Sequence, residues 1–488
     1  MEEGKTMEFQ QVRTAFQEIW GYDDFRYPQG EIIQTLLQQQ DALVVMPTGG
    51  GKSICFQLPA LLQNGVTLVV SPLVALMENQ VQELRQRNLK AASVHSEQPT
   101  YIRKQVFRQL EEQQLRLLYL SPETLLSPPV WERLCLPKIR INGLILDEAH
   151  CLVQWGESFR PAYRRLGAVR SALLKHKPRG TKLAIAAFTA TADPRTQSIL
   201  KQVLDLQDPQ TFLLNPYRDN LHLSVNIAWS PKGRKKQILR VLKRSNGQTG
   251  LIYVRTRKDS EMLSQWLQQH QVTTVAYHAG LSPEQRRMIE HQWFEEQVQA
   301  VVCTSAFGMG INKPNVRWVM HFHPPLLLSE YMQEVGRAGR DGEPAKAITL
   351  ISEPTGWLDP GDKQRQNYFI RQERSLQQLA QSLTHTLPPQ GDVRQMSQSH
   401  PQASLALSVL HSQGKLQWNS PFHYQILPAQ DSSAVDNRQG IKKMERYLIA
   451  CSCRWKFLLQ AFGFNVAEDY RCLNCDRCLS NIALRARK

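Results

Sequence analysis

The sequence predicts an α/β protein built on parallel sheets. Short apolar runs recur at 66–70, 115–120, 141–146 and 182–188, with helical patterns between them, and a second such series begins near residue 222. Strands alternating with helices are the pattern of βαβ units. The stretch Ala42-Leu-Val-Val-Met-Pro-Thr-Gly-Gly-Gly-Lys-Ser53 runs from a buried-strand pattern through glycines into a helical segment ending near Leu62.

That stretch organises the chain. A strand that turns through glycines into a helix N-terminus presents converging N–H groups and the positive end of the helix dipole to an anion. Thr48, Gly49, Gly50 and Gly51 supply the turn, Lys52 would reach the β- and γ-phosphates, and the Ser53 hydroxyl would ligate Mg²⁺. Met46 stands where the general phosphate-loop pattern has its first glycine.

The segment before it, 8–40, reads as helical around a break at Gly21. Tyr22 and Arg26 could stack on a purine and the Gln29 amide could pair with an adenine edge. After the strand Leu144-Ile-Leu146 come Asp147-Glu148-Ala149-His150, two carboxylates at the end of a strand where α/β sheets bind ligands. Asp147 would hold Mg²⁺, directly or through water, and Glu148 would polarise the attacking water. Thr189 and Thr191 end the next strand. Between them, Gln154–Pro161 places Trp155, Phe159 and Arg160 on one loop, suited to stacking on unpaired bases and meeting a phosphate.

The second series has strand candidates at 223–227, 249–254, 272–276, 299–303, 317–322 and 346–351, with no phosphate loop. It contributes Gln333-Glu-Val-Gly-Arg337-Ala-Gly-Arg340, whose guanidinium pair suits the charge on a transferring γ-phosphoryl group.

In the tail, Cys453, Cys472, Cys475 and Cys478 form C-x18-C-x2-C-x2-C, suited to a closed tetrahedral Zn²⁺ site. Cys451 is the near alternative to Cys453. Leu376, Leu379, Ala380 and Leu383 share one helical face, Leu405 to Leu410 form a second apolar pattern, and Lys415–Trp418 with His423–Leu427 read as a hairpin. Helices followed by a hairpin suggest a winged-helix-like unit, and 429–440 reads as a linker. Hydrophobic residues make up 42% of the chain and the formal net charge is +16, which points to an anionic partner, nucleic acid before membrane. No apolar run approaches a membrane span, no secretory signal is visible, and the nine cysteines are not a disulfide framework, so a cytoplasmic protein is expected.

The set Thr48–Ser53, Asp147–His150, Thr189-Ala-Thr191 and Gln333-x-x-Gly-Arg337-x-x-Arg340 stands in the order of a superfamily 2 helicase. With the loop 154–161, the run 306–317 and the cysteine tail, the chain resembles the RecQ family of ATP-dependent DNA helicases over roughly 8–352 and again over 441–488. The resemblance implies two RecA-like lobes, at 1–207 and 208–354, then a linker and winged-helix-like unit at 355–440 and a zinc module at 441–488. It implies ATP, Mg²⁺ and Zn²⁺ as cofactors, and adenine recognition by Tyr22, Arg26 and Gln29. It assigns phosphate, metal and water work to Lys52, Ser53, Asp147 and Glu148, and arginine fingers to Arg337 and Arg340. DNA contacts are implied at Ser71, Trp155, Phe159, Arg160, His278 and Arg286.

The family unwinds 3′→5′ on single-stranded and partly duplex DNA. A single-strand-binding protein is an expected partner, and a monomer is expected. The sequence ends at Lys488, so a short form without an HRDC domain is expected. It departs from the usual family pattern at Tyr27-Pro28, at Glu157-Ser158 and at His323. An RNA helicase of the same superfamily would share the ATP site, and an annealing or scaffold protein with weak ATPase would share the charge. The aromatic loop and zinc tail argue against the first, and the intact Lys52, Glu148 and Arg340 set argues against the second.

Overall fold

The computed structural model describes residues 9–153, 160–308, 313–353, 355–384, 386–428 and 438–485. The chain forms two compact units. One comprises Met1–Met46, Gly50–Leu214 and Gln372–Val435, the other Pro47–Gly49, Asn215–Arg371 and Asp436–Lys488.

The first unit is built on a parallel seven-stranded sheet: β1 Ala42–Val45, β2 Val66–Val70, β3 Ala91–Val94, β4 Leu117–Leu120, β5 Ile141–Leu146, β6 Ala184–Thr189 and β7 Gln210–Leu213, in the order β3-β4-β2-β5-β6-β1-β7. Strands β1 to β6 are buried at every position, as expected of a sheet covered by helices on both faces. β3 and β7 were not foreseen. Ala-Ala-Ser-Val has too little apolar bulk to stand out, and β7 is a half-exposed edge paired only to β1. β7 also carries the first lobe past the boundary expected at 207. Buried Asp41, just before β1, is ion-paired to Arg170 at 2.6 Å and accepts from the N–H groups of Ile185 and Gln207, which fixes the start of the strand that delivers the phosphate loop.

The second unit holds a parallel six-stranded sheet: β8 Leu221–Ala228, β9 Gly250–Tyr253, β10 Thr274–Tyr277, β11 Ala300–Cys303, β12 Trp318–His321 and β13 Ala345–Ser352, in the order β10-β11-β9-β12-β13-β8. All six coincide with the apolar runs of the second series.

The region after the sheets begins with a helix, Gly361–Thr384. There follow β14 Gln390–Asp392, helices Val393–Ser399 and Ala403–Ser412, then β15 Leu416–Trp418 and β16 His423–Ile426, in an antiparallel sheet of order β14-β16-β15. This helix-strand-helix-helix-strand-strand order is that of a winged helix. It docks on the first sheet's helical layer. Phe422 joins that lobe's core and meets Trp131 edge-on at 5.1 Å, and Ser408 Oγ donates to the carbonyl of Pro161.

The cysteine module is seated equally firmly in the second unit. Trp455, fully buried, donates from its indole to the Leu221 carbonyl, and the Asp476 carboxylate accepts from the Val225 N–H. Among the described residues, no helix is long and apolar enough to cross a membrane.

Candidate active site

β1 ends at Val45 and the chain turns before the helix Lys52–Leu62. Gly49 and Gly51 take φ of 85° and 80°, a left-handed conformation that side chains resist. At Gly51 space forbids more as well, since a Cβ there would stand 2.4 Å from Gln29 Nε2.

Gln29 is buried. Its Nε2 donates to the Gly50 carbonyl at 3.1 Å and its Oε1 accepts from the Arg26 N–H at 2.9 Å. The amide expected to read an adenine edge here braces the loop against the segment that precedes it. Arg26 is exposed, and Tyr22 is exposed with its ring 5.8 Å from that of Phe16.

Lys52 Nζ is buried, has no hydrogen-bond partner among the described residues, and lies 3.8 Å from Glu148 Oε1. A buried ammonium with one long ion pair and no hydrogen bond is costly. The donor set therefore suits an anion, and with the Gly49–Gly51 turn it fits a nucleotide's phosphates. Asp147 ends β5 fully inside the protein. Burial first, then the neighbouring Glu148 carboxylate, raises its pKa to about 6, and a bound divalent cation would relieve both.

Glu148 takes φ of 50°, which costs a non-glycine residue about 1 kcal/mol. Its carboxylate lies beside Lys52. Its second oxygen is 3.3 Å from His150 Nδ1, which also lies 3.0 Å from Thr189 Oγ1, and the Thr191 N–H donates back to that hydroxyl. His150, Thr189 and Thr191 thus form a buried polar chain that holds Glu148 from behind.

In the second lobe, Arg337 and Arg340 follow the helix Leu328–Val335. Arg337 is buried and donates to the Gly308 carbonyl. A Cβ on Gly308 would fall on the guanidinium, so glycine is required there. Arg340 is half-buried, with Nε donating to the Gly336 carbonyl at 3.4 Å. Glu334, three residues before Arg337 and buried, pairs with Arg255 at 3.3 Å and His321 at 3.0 Å and anchors the helix from within.

The expected DNA contacts divide. Trp155 and Phe159 lie outside the described residues. Arg160 is half-exposed and 3.3 Å from Glu123 Oε2. It borders a groove of about 830 Å³ whose lining includes Arg103, Lys104, Ser121 and Thr124. Of these, Arg103, Lys104 and Thr124 had no sequence signal beyond ordinary helix composition. Arg286 is half-buried, bonded through Nε to the Leu281 carbonyl.

Two of the residues expected to meet DNA are buried. Ser71 is buried, because its N–H continues the sheet by bonding to the Leu120 carbonyl and its hydroxyl turns inward. His278 is also buried. Its Nε2 lies 3.0 Å from Glu261 and its Nδ1 accepts from the Gly280 N–H, so it shapes a turn and offers no free ring edge.

The Sγ atoms of Cys453, Cys472, Cys475 and Cys478 lie within 4.8 Å of one another, all buried, while Cys451 is exposed. A tetrahedron with Zn–S near 2.3 Å needs sulfur separations of about 3.8 Å. Backbone N–H groups of Cys472 and Asn474 donate to the sulfurs of Cys453 and Cys472, which favours thiolates. The four residues fit zinc.

The family model of DEAD/DEAH box helicases matches residues 26–199, and that of the helicase conserved C-terminal domain matches 233–342. The chain is 52% identical over 473 residues to the ATP-dependent DNA helicase RecQ of Synechocystis sp., covering 96% of this chain and 98% of that protein. It is 39% identical to the ATP-dependent DNA helicase RecQ of Pasteurella multocida over 70% of this chain, and there it spans about half of the relative, 52%.

Among solved structures, the helicase Lhr of Mycobacterium smegmatis, bound to single-stranded DNA and AMP-PNP, aligns with TM-score 0.56 at 18% identity over 91% of this chain and 61% of that one. S. cerevisiae Dbp5, bound to RNA and ADP BeF3, aligns with TM-score 0.55 at 16% identity over 72% of this chain and 88% of that one. These distant structures share the fold. With half of its residues identical to one RecQ helicase across nearly the full length of both, and helicase domains matched on both lobes, the chain belongs to the RecQ family of ATP-dependent DNA helicases.

Proposed function

We propose that the chain hydrolyses ATP to translocate 3′→5′ on single-stranded DNA and unwind duplex, serving recombination, repair and replication. The observation that carries this reading is Lys52, a buried ammonium that makes no hydrogen bond to a described residue and stands 3.8 Å from the Glu148 carboxylate at the end of a parallel sheet.

The Gly49–Gly51 turn and Lys52 bind the β- and γ-phosphates. Tyr22 and Arg26 flank the base, and Gln29 sets the loop against them. Ser53 and Asp147 would hold Mg²⁺, which supplies neutralising charge on the phosphate oxygens. Glu148 takes a proton from the attacking water as the new P–O bond forms and the bond to the β–γ bridging oxygen breaks. The His150–Thr189–Thr191 chain keeps Glu148 in position. Arg337 and Arg340 serve as arginine fingers for the charge on the departing γ-phosphoryl oxygens. On the first lobe, the groove edged by Arg103, Lys104 and Arg160 suits a single strand's phosphates.

The protein would act as a cytoplasmic monomer on chromosomal DNA beside a single-strand-binding protein. Strand displacement on 3′-tailed and 5′-tailed duplexes, with and without ATP, tests the reading. It expects ATP-dependent separation of the 3′-tailed substrate. Displacement of neither substrate, or displacement independent of ATP, would overturn it.

A further inference from the structure

Two tryptophans on the second lobe are held out into solvent by a rigid framework. Trp229, directly after β8, is 64% exposed, and Trp357, in the loop after β13, is 88% exposed. β8 and β13 run parallel and are paired in register up to Ala228 and Ser352, so the segments that carry the two tryptophans leave the sheet at the same end.

Neither segment is loose. The buried Glu353 carboxylate accepts from Thr355 Oγ1 at 2.7 Å and from the N–H groups of Gly356 and Leu358 at 2.6 Å, which fixes the turn that carries Trp357. Arg234, fully buried on the helix that follows Trp229, ties the two segments together. It donates to Asp359, to Asp362 at 2.8 Å, to Ser352 Oγ at 2.9 Å, and to the carbonyls of Phe322 and Leu350. His323, the residue that departs from the family pattern, adds a 2.8 Å contact to Asp362.

The charge around the pair has one sign. Lys232, Lys236 and Lys363 are exposed, and Lys363 lies beside the turn, since a Cβ on Gly356 would stand 3.8 Å from its Cδ. The acids of the framework are turned inward and satisfied by Arg234 or by backbone N–H groups. A lone surface tryptophan needs no explanation. Two that share one end of a sheet, fixed by a buried guanidinium and rimmed by lysines, match the pattern of aromatic platforms in a basic surface that takes unpaired nucleic acid.

We infer that Trp229 and Trp357, with Lys232 and Lys363, form a base-stacking subsite for single-stranded DNA on the second lobe. Base faces stack on the indoles and the lysines meet the flanking phosphates. The subsite rests on the reading that the chain works on single strands. It shares no residue with the groove at Arg160.

The test is binding of a fluorescent oligo-dT to the full chain by anisotropy. It compares wild type, Trp229→Ala, Trp357→Ala, the corresponding Phe variants, and Lys232→Gln with Lys363→Gln. Each Ala variant should weaken binding about thirtyfold, the middle of the range for one stacked base. The Phe variants should recover most of the affinity, and the double Lys variant should lower the salt slope by about 1.4. Affinities of the Ala variants within about twofold of wild type would overturn the subsite, as would equal losses in the Phe variants. A wild-type protein that does not bind oligo-dT would overturn the single-strand reading itself, and the subsite with it.

Discussion

Stripping zinc should abolish hydrolysis through the second lobe while nucleotide still binds the first. Cys453, Cys472, Cys475 and Cys478 are part of the same buried core as Leu223, Tyr331, Val335 and Trp455. Tyr447 of the module donates its hydroxyl to that of Tyr331 at 2.8 Å, on the helix that leads to Arg337 and Arg340. A structural zinc contributes about 10–16 kcal/mol in isolated fingers, whereas a whole domain is stable by about 5–15 kcal/mol. Loss of the metal therefore exceeds what the second lobe can absorb.

The assay is chelation confirmed by metal analysis, followed by limited proteolysis, binding of a fluorescent ATP analogue and DNA-stimulated ATPase. Cleavage should fall in the second lobe, analogue affinity should hold, and stimulated hydrolysis should drop to background. Tyr447→Phe, which keeps the metal, should cost only about 1 kcal/mol. Metal-free protein that unfolds as wild type does and still hydrolyses ATP would refute the reasoning.

Further outcomes follow from particular residues. Phe422→Ala should destabilise the first unit by about 3–5 kcal/mol in urea melts, because it empties a buried site against Trp131. Gly51→Ala should abolish tight nucleotide binding in the same analogue titration, since the Cβ meets Gln29 and the backbone is left-handed. Burial, reinforced by Arg164, pushes His411 down to about 3, against about 6.5 in an unfolded chain. Between those values the unfolded chain binds the extra proton, so stability falls as pH drops below about 6.5. By about pH 5.5 the loss should reach about 1.4 kcal/mol in urea melts and be absent in His411→Leu.

Much of this was legible in the sequence because the physics is local. Apolar runs gave the central strands, since a sheet buried on both faces leaves no polar positions. Glycines before Lys52, carboxylates after β5 and the C-x18-C-x2-C-x2-C spacing named their chemistry without a fold. Orientation was not legible. Ser71 and His278 stand in segments with DNA-contact motifs, yet one hydroxyl turns inward and the ring closes a turn. Gln29 braces the loop through a hydrogen bond to the Gly50 carbonyl that no motif announces.

Long-range packing was also hidden. The cysteine tail read as an appendage whose unfolding would stay local, whereas Trp455 and Tyr447 sew it into the second lobe's core. Nothing in Ser420-Pro-Phe422 announced that the winged-helix-like unit would dock beside Trp131 and Pro161. Trp229 and Trp357 passed unnoticed because isolated aromatics carry no periodicity, and Arg234, which fixes both, looks like any helix arginine.

The central claim is that a phosphate bound by Lys52 drives strand separation. Unwinding of a 3′-tailed duplex by Lys52→Ala, measured beside wild type at saturating ATP, tests it most directly. The account predicts no displacement above the ATP-free control with DNA binding retained. Displacement at the wild-type rate would contradict it.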